Sequence, residues 1–182
     1  MTEYFGFVQI IGYIGLIFSV IAFQCKKHRN VMIFKTANEL IFCVQYILLG
    51  AYTGAAMNCV GSARNLIFAR TVAKGRSTRV WQALFAVFFT VFGLFTWQGP
   101  ISIMIIAAKV ITTIAYGIEN TTLVRLLTLP TSICWLIYNG WSGSVGGVLC
   151  EAFTIASILV AMLRIDLPRL RASRANRGED HV

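Results

Sequence analysis

Apolar stretches of about 20 residues follow one another along this chain, and no break between them is long enough to hold a soluble domain. Crossing a ~30 Å hydrocarbon core takes roughly 20 residues of helix, so each such stretch reads as a membrane span. Run length and breaks predict helices at about 4–24, 31–51, 54–71, 80–98, 100–118, 121–139 and 144–164. Composition agrees: 57% of the 182 residues are hydrophobic and 13% charged, and the mean hydropathy is +0.72. A soluble domain is usually about a quarter charged. The expected fold class is an all-α integral membrane protein with seven transmembrane helices. Met1-Thr2-Glu3 lacks a basic n-region and the first apolar run is too long for a signal-peptide core, so a retained first helix is expected.

The breaks alternate in kind. Cys25–Asn30, Thr71–Arg79, Glu119–Asn120 and the tail are mostly charged, whereas Tyr52-Thr53, Gly99-Pro100 and Gly140–Gly143 carry no charge. Lys26, Lys27, Arg29, Arg70, Lys74, Arg76, Arg79, Arg125, Arg164, Arg169, Arg171, Arg174 and Arg177 therefore fall on one side and no Lys or Arg on the other. By the positive-inside rule the N-terminus is outside and the C-terminus cytoplasmic, in a multi-pass protein of a cytoplasmic membrane. Trp81, Trp97, Trp141 and Tyr52 sit near helix ends, at headgroup level. The net charge of +9 then reports orientation and contact with anionic lipid, not nucleic acid. The five cysteines are odd in number, widely spaced and without a C-x-x-C pair, so neither a disulfide framework nor a zinc site is expected.

Sliding the sequence by 89 residues lays Tyr46, Gly50, Tyr52, Thr53 and Gly54 on Trp135, Asn139, Trp141, Ser142 and Gly143. The first, second and third helices land near the fifth, sixth and seventh, with the fourth left over. Three helices end opposite their start, so one extra crossing restores the orientation, and a 3+1+3 layout gives two parallel three-helix bundles. The expected units are 1–71, a connecting helix 80–98, 100–164, and a basic tail 165–182. Parallel repeats about an axis along the membrane normal recur in transporters, with the substrate site between the repeats. Asn58, Gly61, Ser62 and Asn65 share one face of the third helix, and Gly147, Cys150, Glu151 and Thr154 form a similar face on the seventh. For the glycines close helix packing is the favoured reading, as in Gly143-x-x-x-Gly147.

Lys35, Glu39, Arg64, Lys109 and Glu151 lie inside predicted spans, where each costs about 2.5–3.5 kcal/mol at a helix centre and needs a partner or water. An i, i+4 ion pair is available to Lys35 and Glu39. Arg64, Lys109 and Glu151 are all expected near mid-depth, with Glu151 between the two cations, as a lock, a gate or both. Trp135 and Asn139 put an indole and an amide on one helix face, suited to a ring- or hydroxyl-bearing solute, or else serve as an interfacial anchor and a helix cap. Pro130 is a candidate kink. No P-loop, H-E-x-x-H or G-x-S-x-G is present, His28 and His181 lie in basic loop and tail, and no enzymatic reaction, cofactor or metal is expected.

Ile133–Asn139, Gly143–Gly147 with Glu151, and Arg64–Arg70 resemble the bacterial YgjV-type inner-membrane protein family, and the resemblance runs from the first helix to the start of the basic tail. Its most specific part is Trp135, Asn139, Gly143, Ser144, Gly146, Gly147 and Glu151. The 3+1+3 layout is further similar to the group containing SWEET sugar carriers, PQ-loop transporters, PnuC vitamin carriers and the KDEL receptor. That resemblance implies facilitated movement of a small polar solute past Asn and Trp side chains, the parts open here to Asn58, Trp135 and Asn139. The chain departs from the group in lacking a Pro-Gln pair in the first and fifth helices.

The expected function is a transporter or facilitator of a small polar metabolite, rocking two three-helix bundles about a midplane site; the alternative is a receptor or interaction protein that binds without moving its ligand. Asn58, Arg64, Asn65, Trp135, Asn139 and Glu151 are the expected solute contacts, and Lys35, Glu39 and Lys109 the gating or charge-pairing groups. Three intramembrane cations against two acids slightly favour an anionic or phosphorylated solute. Membrane lipids are the other expected partners, and a homo-oligomer is compatible with the sequence. Topology is directly testable: alkaline phosphatase fused after Gly99 is expected to be active and after Arg76 inactive, and the reverse pattern would invert the assignment.

Overall fold

Each apolar run folds into one helix: α1 (Thr2–Gln24), α2 (His28–Leu48), α3 (Tyr52–Ala73), α4 (Arg79–Phe95), α5 (Pro100–Ala115), α6 (Thr121–Ser142) and α7 (Val145–Ala161), the last running into a π-turn at Met162–Asp166. This computed structural model describes residues 2–25, 28–116 and 121–168. Lys26, Lys27, Glu119, Asn120, Arg169, Arg171, Arg174, Arg177 and His181, which carry part of the charge asymmetry, lie outside the described residues, as do the side chains of His28 and Arg29.

The boundaries shift where a local stop overrides apolarity. α2 ends at Leu48 and α6 at Ser142 because Gly50 and Gly143 adopt left-handed φ of 72° and 74°. In both turns the N–H of the residue after the glycine reaches back five residues, Ala51 to Tyr46 at 2.8 Å and Ser144 to Asn139 at 2.9 Å. A side chain at either glycine would oppose that closure. Gly143 is thus a turn residue and not half of a helix-packing pair. At the other end of α7, the wide π-turn carries Asp166 onto α6, where it accepts from Thr122 Oγ1 at 2.7 Å and from Arg125 Nη2 and Nε at 2.7 and 2.8 Å.

On apolarity alone two helices are long enough to cross a membrane, through Phe5–Ala22 and Val145–Asp166. α4 and α5 are apolar but have 17 and 16 residues, while α2, α3 and α6 are diluted by polar residues that face inward. The molecule is inside-out by soluble standards. Gln45, Arg64, Asn65 and Asn139 are buried, while Phe95, Val80 and Leu94 are exposed. An interior that hydrogen-bonds its own polar groups behind an apolar exterior is what a lipid solvent demands. Tyr52, Trp81, Trp97 and Trp141, the expected interfacial rings, are all exposed.

Every helix packs on its successor, α7 packs back on α1, and α3 reaches α5 past α4. Six helices therefore close a ring in the order α1, α2, α3, α5, α6, α7, and α4 sits outside the α3–α5 contact. Its buried residues Phe85, Phe89 and Gly93 form a stripe at every fourth position, and Gly93 abuts Ile106 of α5 and Met57 of α3.

At the end carrying the uncharged connections, two glutamines clip the ring together. Gln9 of α1 donates to Gly143 O at 2.8 Å and accepts from Val145 N at 2.9 Å, holding the α6–α7 turn. Gln98, just before α5, donates to Gly50 O at 2.7 Å and accepts from Thr53 N at 3.1 Å, holding the α2–α3 turn in the same way. Gln45 adds a third tie, donating to Val8 O at 3.1 Å and accepting from Ser144 Oγ at 2.8 Å. Tyr138 joins α6 to the α2–α3 turn through Gly54 N and Ala51 O.

The α1–α7 contact is backbone on backbone, since a Cβ on Gly146 would run into the Gly12 main chain. Gly146→Ala is expected to lower stability by about 1–3 kcal/mol, the cost of overpacking a contact that has no flexible atom to give. Gly6→Ala, with nothing within 4 Å, is expected to be neutral. Thermal melts of the two purified variants check this.

Candidate functional site

Inside the ring is a cavity of about 280 Å³ walled by α2, α3, α5, α6 and α7. α2 contributes Lys35, Asn38, Glu39, Phe42 and Tyr46, one helical face. α6 contributes Thr128, Thr131, Ser132, Trp135 and Asn139, each 93 positions further on, together with Val124 and Arg125. Asn58 of α3 and Glu151 of α7, again 93 apart, complete the pattern. The glycines Gly50 and Gly143 that end α2 and α6 share the spacing, whereas Gln9 and Gln98 stand 89 apart. The register of 89 seen in sequence thus holds for the glutamines and slips by four residues, about one turn, for α2–α3 against α6–α7. One turn keeps the helix face.

The charges do not pair as their spacing along the chain implies. Glu39 Oε1 accepts from Arg64 Nη2 at 3.2 Å and from Lys109 Nζ at 2.9 Å, tying α2 to both α3 and α5. The expected Lys35–Glu39 pair is absent: Lys35 donates instead to Tyr116 OH at 2.7 Å, its ammonium 4.6 Å from that ring centroid. The reason is tertiary, since two cations on neighbouring helices already hold the carboxylate. Glu151, the acid expected between Arg64 and Lys109, stands elsewhere on the cavity wall with the Ser132 hydroxyl as its polar neighbour.

Arg64 is fully buried. It donates to Thr113 Oγ1 at 3.0 Å and twice to Asn65 Oδ1, at 3.0 and 3.3 Å, with the rings of Tyr116 and Phe89 at 5.0 and 5.6 Å. Arg64 and Asn65 lie behind the cavity wall and do not line it, so as expected solute contacts they are displaced into the supporting layer. Gly61 makes room for the cluster, because a Cβ there would run into Glu39 Oε2 and lie 2.9 Å from Lys109 Nζ. Glu39 Oε2 and Asn65 Nδ2 are buried with no hydrogen-bond partner among the described residues.

Four expected contacts do reach the cavity: Asn58, Trp135, Asn139 and Glu151. The Asn58 amide makes no hydrogen bond among the described residues. Trp135 is not an open stacking plane, being 9% exposed with Tyr46 stacked at 6.2 Å and Lys109 Nζ at 5.1 Å from its ring. Asn139 does not cap α6. It accepts from Tyr46 OH at 2.6 Å and donates to Trp135 O at 2.8 Å, closing the cavity toward the uncharged end.

The sequence does not single out Tyr116, Gln9, Gln45 or Gln98, and it marks Tyr46 for the repeat alone, not for the cavity. The glutamines carried a signal: amides are rare in apolar runs, and Gln9 and Gln98 stand at the very repeat spacing of 89. Taken together, the wall offers carboxylates, ammonium groups, amides and hydroxyls inside an apolar shell. Such a lining has the chemistry to hydrogen-bond and charge-pair with a polar molecule.

The cluster and Glu151 are expected to respond differently to neutralisation. Glu39→Gln leaves two buried cations uncompensated and is expected to cost about 3–5 kcal/mol. Glu151→Gln faces the cavity and is expected to stay within about 1 kcal/mol of the parent, because water there can replace the lost charge. Melting temperatures of the two variants decide it; equal losses would contradict the division between the acid that holds two cations and the one that holds none among the described residues.

A family model described as a bacterial inner membrane protein, Imp-YgjV, matches residues 6–169. The inner membrane protein YgjV of Escherichia coli (strain K12) is 27% identical over 151 residues, covering 83% of this chain and 79% of that protein. No solved structure matches the chain. With its all-helical, inside-out architecture and a match spanning nearly its whole length, the chain belongs to the YgjV family of bacterial inner membrane proteins.

Proposed function

We propose that this protein is a carrier for a small polar metabolite, with all seven helices crossing the inner membrane and two three-helix units, α1–α3 and α5–α7, rocking about the central cavity. α4 is the connector that restores the orientation between them. The observation that carries the reading is the matched lining: five positions of α2 and the five lying 93 residues on in α6 face one cavity. Two like halves enclosing one site are what alternation of access requires.

The charges refine the solute. Arg64 is behind the wall, and Arg125 is tied to Asp166, so Lys35 and Lys109 stand against Glu39 and Glu151. That balance favours a neutral or zwitterionic polar solute over the phosphorylated anion that counting charges along the sequence points to. The cavity reaches Lys35, Tyr116 and Arg125 near the basic end, the cytoplasmic end by charge asymmetry, and stops at Tyr46 and Asn139 short of the glutamine ties. In these terms the conformation faces the cytoplasm.

Proteoliposomes test the reading. Vesicles holding the purified protein are expected to take up at least one member of a radiolabelled panel of sugars, amino acids and nucleosides faster than protein-free vesicles. Thr128→Trp, which places a bulky ring in the cavity, is expected to cut that uptake at least tenfold while the protein stays folded. Uptake that Thr128→Trp leaves unchanged, or none across the panel, would overturn the carrier.

A further inference from the structure

Away from the central cavity, a second hollow of about 280 Å³ opens at the basic end, where α3 runs into α4. Arg70 and Lys74 come from the end of α3, Arg76 and Ser77 from the connection, and Trp81 from the first turn of α4, over a floor of Ile67 and Thr71. Arg70, Lys74 and Arg76 are exposed, and Trp81 is 37% exposed.

None of the three cations has an ion-pair partner among the described residues, and the acids that the structure describes are committed elsewhere. Glu39 holds Arg64 and Lys109, Asp166 holds Arg125, and Glu151 faces the central cavity. Cations at a helix C-terminus complement the helix dipole, which accounts for Arg70 and Lys74. It does not account for Arg76, which lies beyond the helix, nor for an indole and a hollow beside three unneutralised charges.

We propose that this hollow is a binding site for an anionic phospholipid of the inner membrane. Its phosphodiester sits among Arg70, Lys74 and Arg76, the Ser77 hydroxyl is a further donor, and the acyl chains run along Ile67 and the Trp81 ring. Three features specify a lipid over a soluble phosphate. The indole belongs at headgroup depth, the floor is apolar, and the neighbouring Leu66, Val72 and Val80 are exposed as an acyl-facing surface. A headgroup lacking its own ammonium is required, since a choline or ethanolamine cation would meet three like charges.

Brominated lipids report on the site directly. In nanodiscs containing a small fraction of dibrominated phosphatidylglycerol, the Trp fluorescence quenched at saturation is expected to exceed that with dibrominated phosphatidylcholine. The excess is expected to vanish in Trp81→Phe. Removing the charges in Arg70→Gln/Lys74→Gln/Arg76→Gln is expected to weaken phosphatidylglycerol about 100-fold. Arg164→Gln, an exposed cation elsewhere at the same end, is expected to change little. Should the triple variant fail to fold, Lys74→Gln alone is expected to weaken binding about fivefold. Equal quenching by the two lipids, an excess that survives in Trp81→Phe, or full competition by millimolar inorganic phosphate would overturn the site.

Discussion

One carboxylate oxygen, Glu39 Oε1, holds two cations from two other helices, and the rest of the interior is arranged to make that affordable in lipid. An ion in hydrocarbon is stable only with its partners and hydrogen bonds in place. Arg64 accordingly donates also to Thr113 and Asn65, and a side chain at Gly61 would run into the carboxylate. The cluster binds α2 and α3 to α5 on one side of the ring. The other junction, α7 on α1, has no charge and rests on two glycine backbones and the Gln9 clip. The ring therefore has two seams of unlike chemistry, one held by charge and one by close approach.

This contrast gives the carrier model a physical form. At the uncharged end the glutamine clips are amide contacts to turn backbone, which can exchange with water or headgroups as a seam opens. At mid-depth the Glu39 cluster ties α2 and α3 to α5 across the other seam, so in the proposed motion it is the pivot about which the two units turn. The cavity lies beside that fixed point. Lys109 belongs to both, donating to Glu39 while facing the cavity beside Trp135.

Much of the architecture was legible in the sequence because lipid imposes it. Run length gave the helices, and glycines placed the turns. The residues at i, i+3, i+4 and i+7 on α3 do face inward, and Asn58, Trp135, Asn139 and Glu151 do reach the cavity. Pairing was not legible. That Lys35 and Glu39 are one turn apart says a pair is available, but tertiary neighbours decide, and Tyr116, Arg64 and Lys109 lie far off in sequence. Mid-depth placement along the chain points to Glu151 as the acid between Arg64 and Lys109, and only the packing of α2 against α3 and α5 selects Glu39. The repeat was visible, but its register along α2 and α6 was displaced by one turn, since a turn's slip leaves the same face inward and the sequence pattern almost unchanged.

In the proposed carrier the two three-helix units move against each other at the seams. Spin labels at positions 52 and 141, exposed at the uncharged end on α3 and α6, measure this by double electron–electron resonance in a cysteine-free background. The account predicts two distance populations in lipid nanodiscs, the longer one gaining when the clips are removed by Gln9→Leu and Gln98→Leu. A single distance, unchanged by loss of both clips, would contradict it.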